Sequence, residues 1–371
     1  MAAGGIAAVV VGIALVSVVL RDAFETMVLP RRLKGRFRLT RAYFTSTWPI
    51  WAGLLGRRRG ASREAALSLF GPLSMLLLFV LWAVGLIVGF SLIYYGMGSP
   101  ITMSEPVSGF GLDLYVSGSM FLTLGLGNAV PHGVVARSLA MLEGGMGFGF
   151  VAVVISYLPV LYSGFSQREA NITMLDARAG SPPAASELLR RHAGNLQQLE
   201  DYLAEWERWA AQLLESHISY PVLGFFRSQH VNQSWLAALT TLLDACAVMI
   251  AGTEGRCHRQ AQLTFAMTRH AVVDLAQIYV QRLPKYHPER LSEAGFEQLN
   301  TTLASNGLHL HWDDASRQRF QHLRSSYEPQ VHALAQSLHL TVPAWIGDAA
   351  ALDNWQRSPW ERGKGRGEQH F

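Results

Sequence analysis

Few side chains in this 371-residue chain stand at spacings that support covalent or metal chemistry. The densest polar set, His309-Leu310-His311-Trp312-Asp313, places two imidazoles at a separation that shares a metal on a strand, but the sequence offers no third or fourth ligand beside them. Neither a metal nor a cofactor is expected. Cys246 and Cys257 form no Cys-x-x-Cys pair and are read as free thiols. A nucleophile elbow, a phosphate loop and a metalloprotease helix are all missing, so no catalytic residue is assigned and an enzyme is not expected. Two features remain. Glu143 is an acid inside an apolar run, which marks a functional-site candidate by default. The run Ser119-Met120-Phe121-Leu122-Thr123-Leu124-Gly125-Leu126-Gly127-Asn128 carries a Gly-x-Gly in an otherwise apolar stretch, where glycine frees the backbone for unusual dihedrals. Taken alone, such glycines equally mark a turn or close helix packing.

The elements around these residues read as membrane spans. Half of the residues are apolar and 16% are charged, and the apolar ones concentrate before residue 165. About 20 apolar residues cross a bilayer at the helical rise. Residues 4–20, 66–95 and 134–162 have that character, and 113–123 has the length of a short helix between the second and third. The first run lacks a positive segment before it, and Arg21, Arg31 and Arg32 follow it, so an uncleaved helix is favoured over a signal peptide. Arg21, Arg31, Arg32, Lys34, Arg36, Arg38, Arg41, Arg57, Arg58, Arg59 and Arg63 lie between the first two spans. By the positive-inside rule this loop faces the cytoplasm. The region from Met97 to Ala136 has no Lys or Arg and faces out, which leaves the N-terminus outside and the C-terminal half inside a cell inner membrane. Tyr43, Phe44, Trp48 and Trp51 between the basic clusters point to an interfacial segment touching anionic lipid rather than nucleic acid.

The Gly-x-Gly run, in this setting, resembles the selectivity filter of potassium channels, which reads Thr-Val-Gly-Tyr-Gly-Asp. Pro131 follows the second glycine at that family's distance. The stretch Arg137-Ser138-Leu139-Ala140-Met141-Leu142-Glu143-Gly144-Gly145-Met146-Gly147 looks like the start of the inner helix in bacterial potassium-channel-like proteins with two helices around one pore loop. The resemblance implies a re-entrant pore helix and a filter in which the carbonyls of Thr123, Leu124, Gly125 and Leu126 replace an ion's hydration shell, with Gly127 and Asn128 completing the motif. It also implies that the Thr123 hydroxyl closes the innermost site, and that potassium is the permeant ion. One loop per chain cannot enclose an ion, so a homotetramer follows. This sequence has Leu126 where the family usually has Tyr and Asn128 where it has Asp. In the family those side chains bond to the pore helix, which here offers Tyr115, Val116 and Ser119; Leu126 has no hydroxyl to donate, so a nonselective monovalent cation channel is the near alternative.

Gly144, Gly145, Gly147 and Gly149 weaken the third span by about 1 kcal/mol each relative to Ala. They are read either as a gating hinge, with Gly147 at the family's position, or as small residues for close packing. Glu143 lies about 9 Å deeper than Arg137 along the helix. It is expected to cap the back of the pore helix through a hydroxyl such as Ser117 or Ser119, and Arg137 to position the outer mouth.

The remainder reads as helical: 186–217, 234–251, 257–281, 291–303 and 315–339. Residues 235–250 are apolar enough for a fourth span, but Asp244 in the middle favours a buried core helix. A strand followed by Gly-x-Gly-x-x-Gly is missing from this half, so its ligand or partner is unread. The expected fold is an all-α membrane protein with three transmembrane helices, a re-entrant pore helix and filter, and an all-α cytosolic domain. The expected segments are a first span at 1–20, a basic loop at 21–65 and a pore domain at 66–162. A linker at 163–183, a helical cytosolic domain at 184–345 and a flexible tail at 346–371 complete the expected layout. A non-conducting membrane sensor or scaffold is the alternative from another class.

Overall fold

The computed structural model describes residues 3–29, 39–56, 60–103, 109–230, 232–284, 286–348 and 352–356. The basic clusters at 31–38 and 57–59, and the tail from 357, lie outside the described residues. The chain divides into two units, Met1–Tyr162 and Ser163–Phe371.

In the N-terminal unit, α1 (Ala3–Met27) runs along a longer apolar helix, α4 (Phe70–Gly96), because both present glycines at the seam. A Cβ added to Gly12 would lie 2.5 Å from the Gly89 carbonyl oxygen, and one added to Gly96 would lie 2.4 Å from that of Gly5. Lipid gives no hydrophobic drive for helices to associate, so close backbone approach through small residues supplies the contact. Farther along α1, buried Asp22 accepts from the Trp82 indole N–H at 3.0 Å. Its carboxylate also accepts from the Thr40 hydroxyl at 2.7 Å and the Thr40 N–H at 3.1 Å, satisfying a free donor at the start of α2 (Leu39–Leu54). Trp48 and Phe44 of α2 lay their rings against Phe70, with centroids 4.8 and 6.3 Å away. A short helix, α3 (Ala61–Ser68), leads into α4.

After α4 the chain forms β1 (Ile101–Met103), then α5 (Phe110–Phe121), then β2 (Ala129–Pro131), then α6 (Gly133–Ala179). The two strands pair antiparallel with Ile101 opposite Pro131 and Met103 opposite Ala129, which ties the two ends of the loop segment together. This small ribbon departs from an all-α reading; three-residue strands are too short for alternation to show. Residues 163–179, expected as a linker, belong instead to α6. The first residues that stop the helix are Gly180, at φ 84°, and Pro182 and Pro183, which cannot extend it.

The C-terminal unit is helical, with α7 (Ala185–His192), α8 (Leu196–Ser219), α9 (Trp235–Gly252), α10 (Arg256–Tyr279), α11 (Glu293–Ser305), α12 (Asp314–Ser325) and α13 (Glu328–Leu338). Two expected helices are each split. Asn195 caps α8 by accepting from the Gln198 N–H, which ends the 186–217 run at Gly194. Pro329 clashes with a continuous helix through 315–339, so α12 and α13 separate at Ser326 and Tyr327. Among the described residues, four helical stretches are long and apolar enough to cross a membrane, in α1, α4, α6 and α9. Every residue of α9 is buried by protein, and Asp244 at its middle is held by Arg290, with one bond at 3.1 Å, and by the Tyr327 hydroxyl. The helix is the core of this unit, as Asp244 in its middle leads one to expect, and it is buried against α7, α8, α10, α12 and α13.

The expected flexible tail also begins too early. Asp353 is buried and accepts from Arg191 at 2.9 Å, while the Trp355 N–H donates to Asp176 at 3.1 Å. Residues 352–356 are therefore docked through the buried Asp353 carboxylate and the Trp355 backbone N–H, while the Trp355 ring itself stays exposed.

Candidate functional site

The helix α5 ends in a tightened turn. The Leu122 N–H reaches the Gly118 carbonyl at 3.0 Å, the Thr123 N–H that of Met120 at 3.0 Å, and the Leu124 N–H that of Ser119 at 2.9 Å. Beyond it φ is positive at alternate residues: 55° at Thr123, 56° at Gly125 and 71° at Gly127. Alternating handedness turns successive N–H groups to one side of the chain and their carbonyls to the other. Two of the three positions are glycine, which takes this conformation freely. Thr123 is β-branched, and for such a residue positive φ is a strained outlier of the kind that gathers at functional sites, at about 1–3 kcal/mol. Residues 122–127 are exposed on the chain, including Leu124 and Leu126.

The far end of this loop is braced from α5. The Asn128 amide donates to the Tyr115 hydroxyl at 3.1 Å. The structure thus finds a tie to α5 at Asn128 and not at Leu126. Ser119 serves through its carbonyl, already bonded to Leu124. Arg137, exposed at the start of α6, donates from Nε to the Pro131 carbonyl at 3.3 Å, a positioning contact at the end of β2.

Behind α5 the side chains are polar and buried. Glu143 of α6, with no exposed surface, accepts from the Tyr94 hydroxyl of α4 at 3.0 Å and from the Ser117 hydroxyl of α5. Of the two hydroxyls expected to meet Glu143, Ser117 does so. Ser117 also lies 2.8 Å from the Ile87 carbonyl. At the other end of α5, Ser99 donates to buried Asp113 at 2.7 Å. Tyr94 and Ser99 have nothing local in sequence to distinguish them, whereas Asp113, read from sequence as an acid whose charge draws cations to the outer mouth, is buried behind α5 instead.

The glycines of α6 differ from one another. A Cβ on Gly147 would lie 1.9 Å from the Phe121 carbonyl oxygen, so the α6 backbone abuts that of the last residue of α5. A Cβ on Gly144 would lie 3.6 Å from the Met120 carbonyl oxygen, an ordinary contact, and one on Gly145 would meet open space. Close packing is thus a specific reason for glycine at 147, whereas the surroundings of Gly145 leave a hinge sterically free. Among the described residues no group of three His, Cys, Asp or Glu side chains is arranged to hold a metal ion. His309 and His311 are exposed, on the segment leading to α12.

No family model matches the chain, and no solved structure matches it. The chain is 22% identical over 207 residues to a Bacillus subtilis (strain 168) protein described as the uncharacterized membrane protein YdjJ. The match covers 55% of this chain and 59% of that relative, so the chain spans less than two thirds of the relative's length.

Proposed function

We propose that this protein is a tetrameric, potassium-channel-like pore that conducts potassium passively through the carbonyls of residues 123–126. The observation that carries the reading is the exposed loop after α5, with φ alternating at Thr123, Gly125 and Gly127 between two membrane-length helices. In hydrocarbon, irregular backbone is tolerated only where protein covers it or it lines a wet cavity. Four copies around an axis meet that requirement, and the carbonyls then face one another as coordinating oxygens. The lack of Lys and Arg between Met97 and Ala136 supports an outward-facing mouth that accepts cations, with the C-terminal unit in the cytoplasm. Membership in the potassium-channel-like family, the inner-membrane location and contact of the basic loop with anionic lipid belong to the same reading.

A nonselective monovalent cation pore is the second reading, favoured by one observation: Leu126 is exposed and offers no hydroxyl for a tie to α5. The deciding experiment is cation flux in liposomes reconstituted with the full chain, under potassium and sodium gradients. Gly125 has φ 56°, so Gly125→Ala strains the loop by about 1–2 kcal/mol and serves as the control. Potassium flux that exceeds sodium flux and disappears in the control is expected. Equal fluxes support the nonselective pore. An assembled tetramer without flux overturns both in favour of a sensor or scaffold.

A further inference from the structure

Glu143 is buried where three helices meet, and its two carboxyl oxygens reach one hydroxyl on each of the other two, Tyr94 of α4 and Ser117 of α5. One turn farther along each helix the contact repeats. Gly147 follows Glu143 by four residues, Phe121 follows Ser117 by four, and the Gly147 backbone abuts the Phe121 carbonyl. Residues four apart share a helix face, so α5 and α6 are keyed together along two successive turns. The ring of Phe150, on the next turn of α6, lies 5.8 Å from that of Phe121. Residues 119 and 120 at this keyed end of α5 hold the N–H groups of Leu124 and Thr123. Displacing α5 along α6 would therefore carry the first carbonyls of the loop with it.

We propose, on the pore reading above, that Glu143 is a positioning residue for the conducting loop, fixing the register of α5 on α6 and through it the spacing of the carbonyls at Thr123 and Leu124. Removing the carboxyl leaves the Tyr94 hydroxyl without its acceptor in a buried place, while Ser117 keeps the Ile87 carbonyl. A glutamine retains the pattern, since its amide can accept from Tyr94 and donate to Ser117.

The test uses the full chain in planar bilayers, reading unitary conductance and the potassium-to-sodium permeability ratio, with tetramer content checked by native mass spectrometry. Glu143→Ala and Ser117→Ala are expected to change the conductance or the ratio by about tenfold, the order of one lost buried hydrogen bond. Glu143→Gln should stay within about twofold, because both hydroxyls remain bonded. Assembled Glu143→Ala with unchanged conductance and ratio overturns the proposal while leaving the pore reading intact. If Glu143→Ala does not assemble, an unchanged Ser117→Ala overturns it in the same way. A wild-type tetramer without conductance removes the pore reading, and this inference with it.

Discussion

Strain at Thr123 is the most telling single-residue feature. A threonine at φ 55° sits where glycine would be relaxed, so something other than stability keeps its hydroxyl at the foot of the loop. Thr123→Gly is expected to raise thermal stability in detergent by about 1 kcal/mol, the left-handed penalty relieved, while reducing potassium flux in liposomes. Unchanged flux together with higher stability would show that the hydroxyl has no part in conduction. The Asn128–Tyr115 pair shows the complementary case, in which a polar residue at the far end of the loop bonds back to α5. The motif was readable as a run of residues; the choice of Asn128 rather than Leu126 as the tied residue was not, because the pairing spans thirteen positions.

Between elements, the question is what α6 does at its glycines. The Phe121 carbonyl leaves no room for a Cβ at position 147, so Gly147→Ala must push α6 away from α5 whether or not the helix bends there. The expected result is a loss of thermal stability of at least about 1 kcal/mol, of the order seen for overpacking, with altered conduction as a consequence. Gly145→Ala is the cleaner trial of a hinge, since its surroundings are open and only helix propensity changes. Shorter open times in single-channel records of Gly145→Ala would support a hinge; unchanged gating there, with Gly147→Ala impaired, would leave packing as the account. The same physics operates at the α1–α4 seam, where paired glycines replace the hydrophobic drive that lipid removes.

At the scale of the whole molecule, the two units hold together by different means. The N-terminal unit relies on backbone contact and a few buried hydrogen bonds, whereas the C-terminal unit wraps apolar helices around α9. In the latter, His217 is fully buried. Arg168 reaches its Nε2 at 3.2 Å, so Nε2 accepts and Nδ1 carries the proton toward the Leu213 carbonyl at 2.8 Å. Burial, and next the Arg168 charge, push this imidazole down to about 3, and burial with Arg290 pushes His332 to about 4. An unfolded histidine titrates near about 6.5, so below that value the unfolded chain binds protons that the folded chain refuses. Stability of this unit is therefore present above about pH 6.5 and falls as pH drops toward the folded values. Hydrogen exchange of the full chain should show protection in α8 falling between about pH 6 and pH 4, after correction for intrinsic rates, and His217→Gln should flatten that dependence. Protection in α8 that does not change with acid would contradict this assignment of the neutral histidine.

Short windows of residues carry the local part of this fold. Apolar runs of membrane length, the Gly-x-Gly spacing after α5 and the helical C-terminal half are all local signals, whereas the continuation of α6 through 163–179 is not. Asp244 marks 235–250 as a core helix in the same local way, and the packing bears this out; which polar side chains meet is set only by how the helices pack. Glu143 joins residues 26 and 49 positions away, and Asp22 takes its indole N–H from 60 positions away. No periodicity records such pairs. A buried carboxylate is stable only when donors from other elements reach it, and those donors are supplied by how the helices pack.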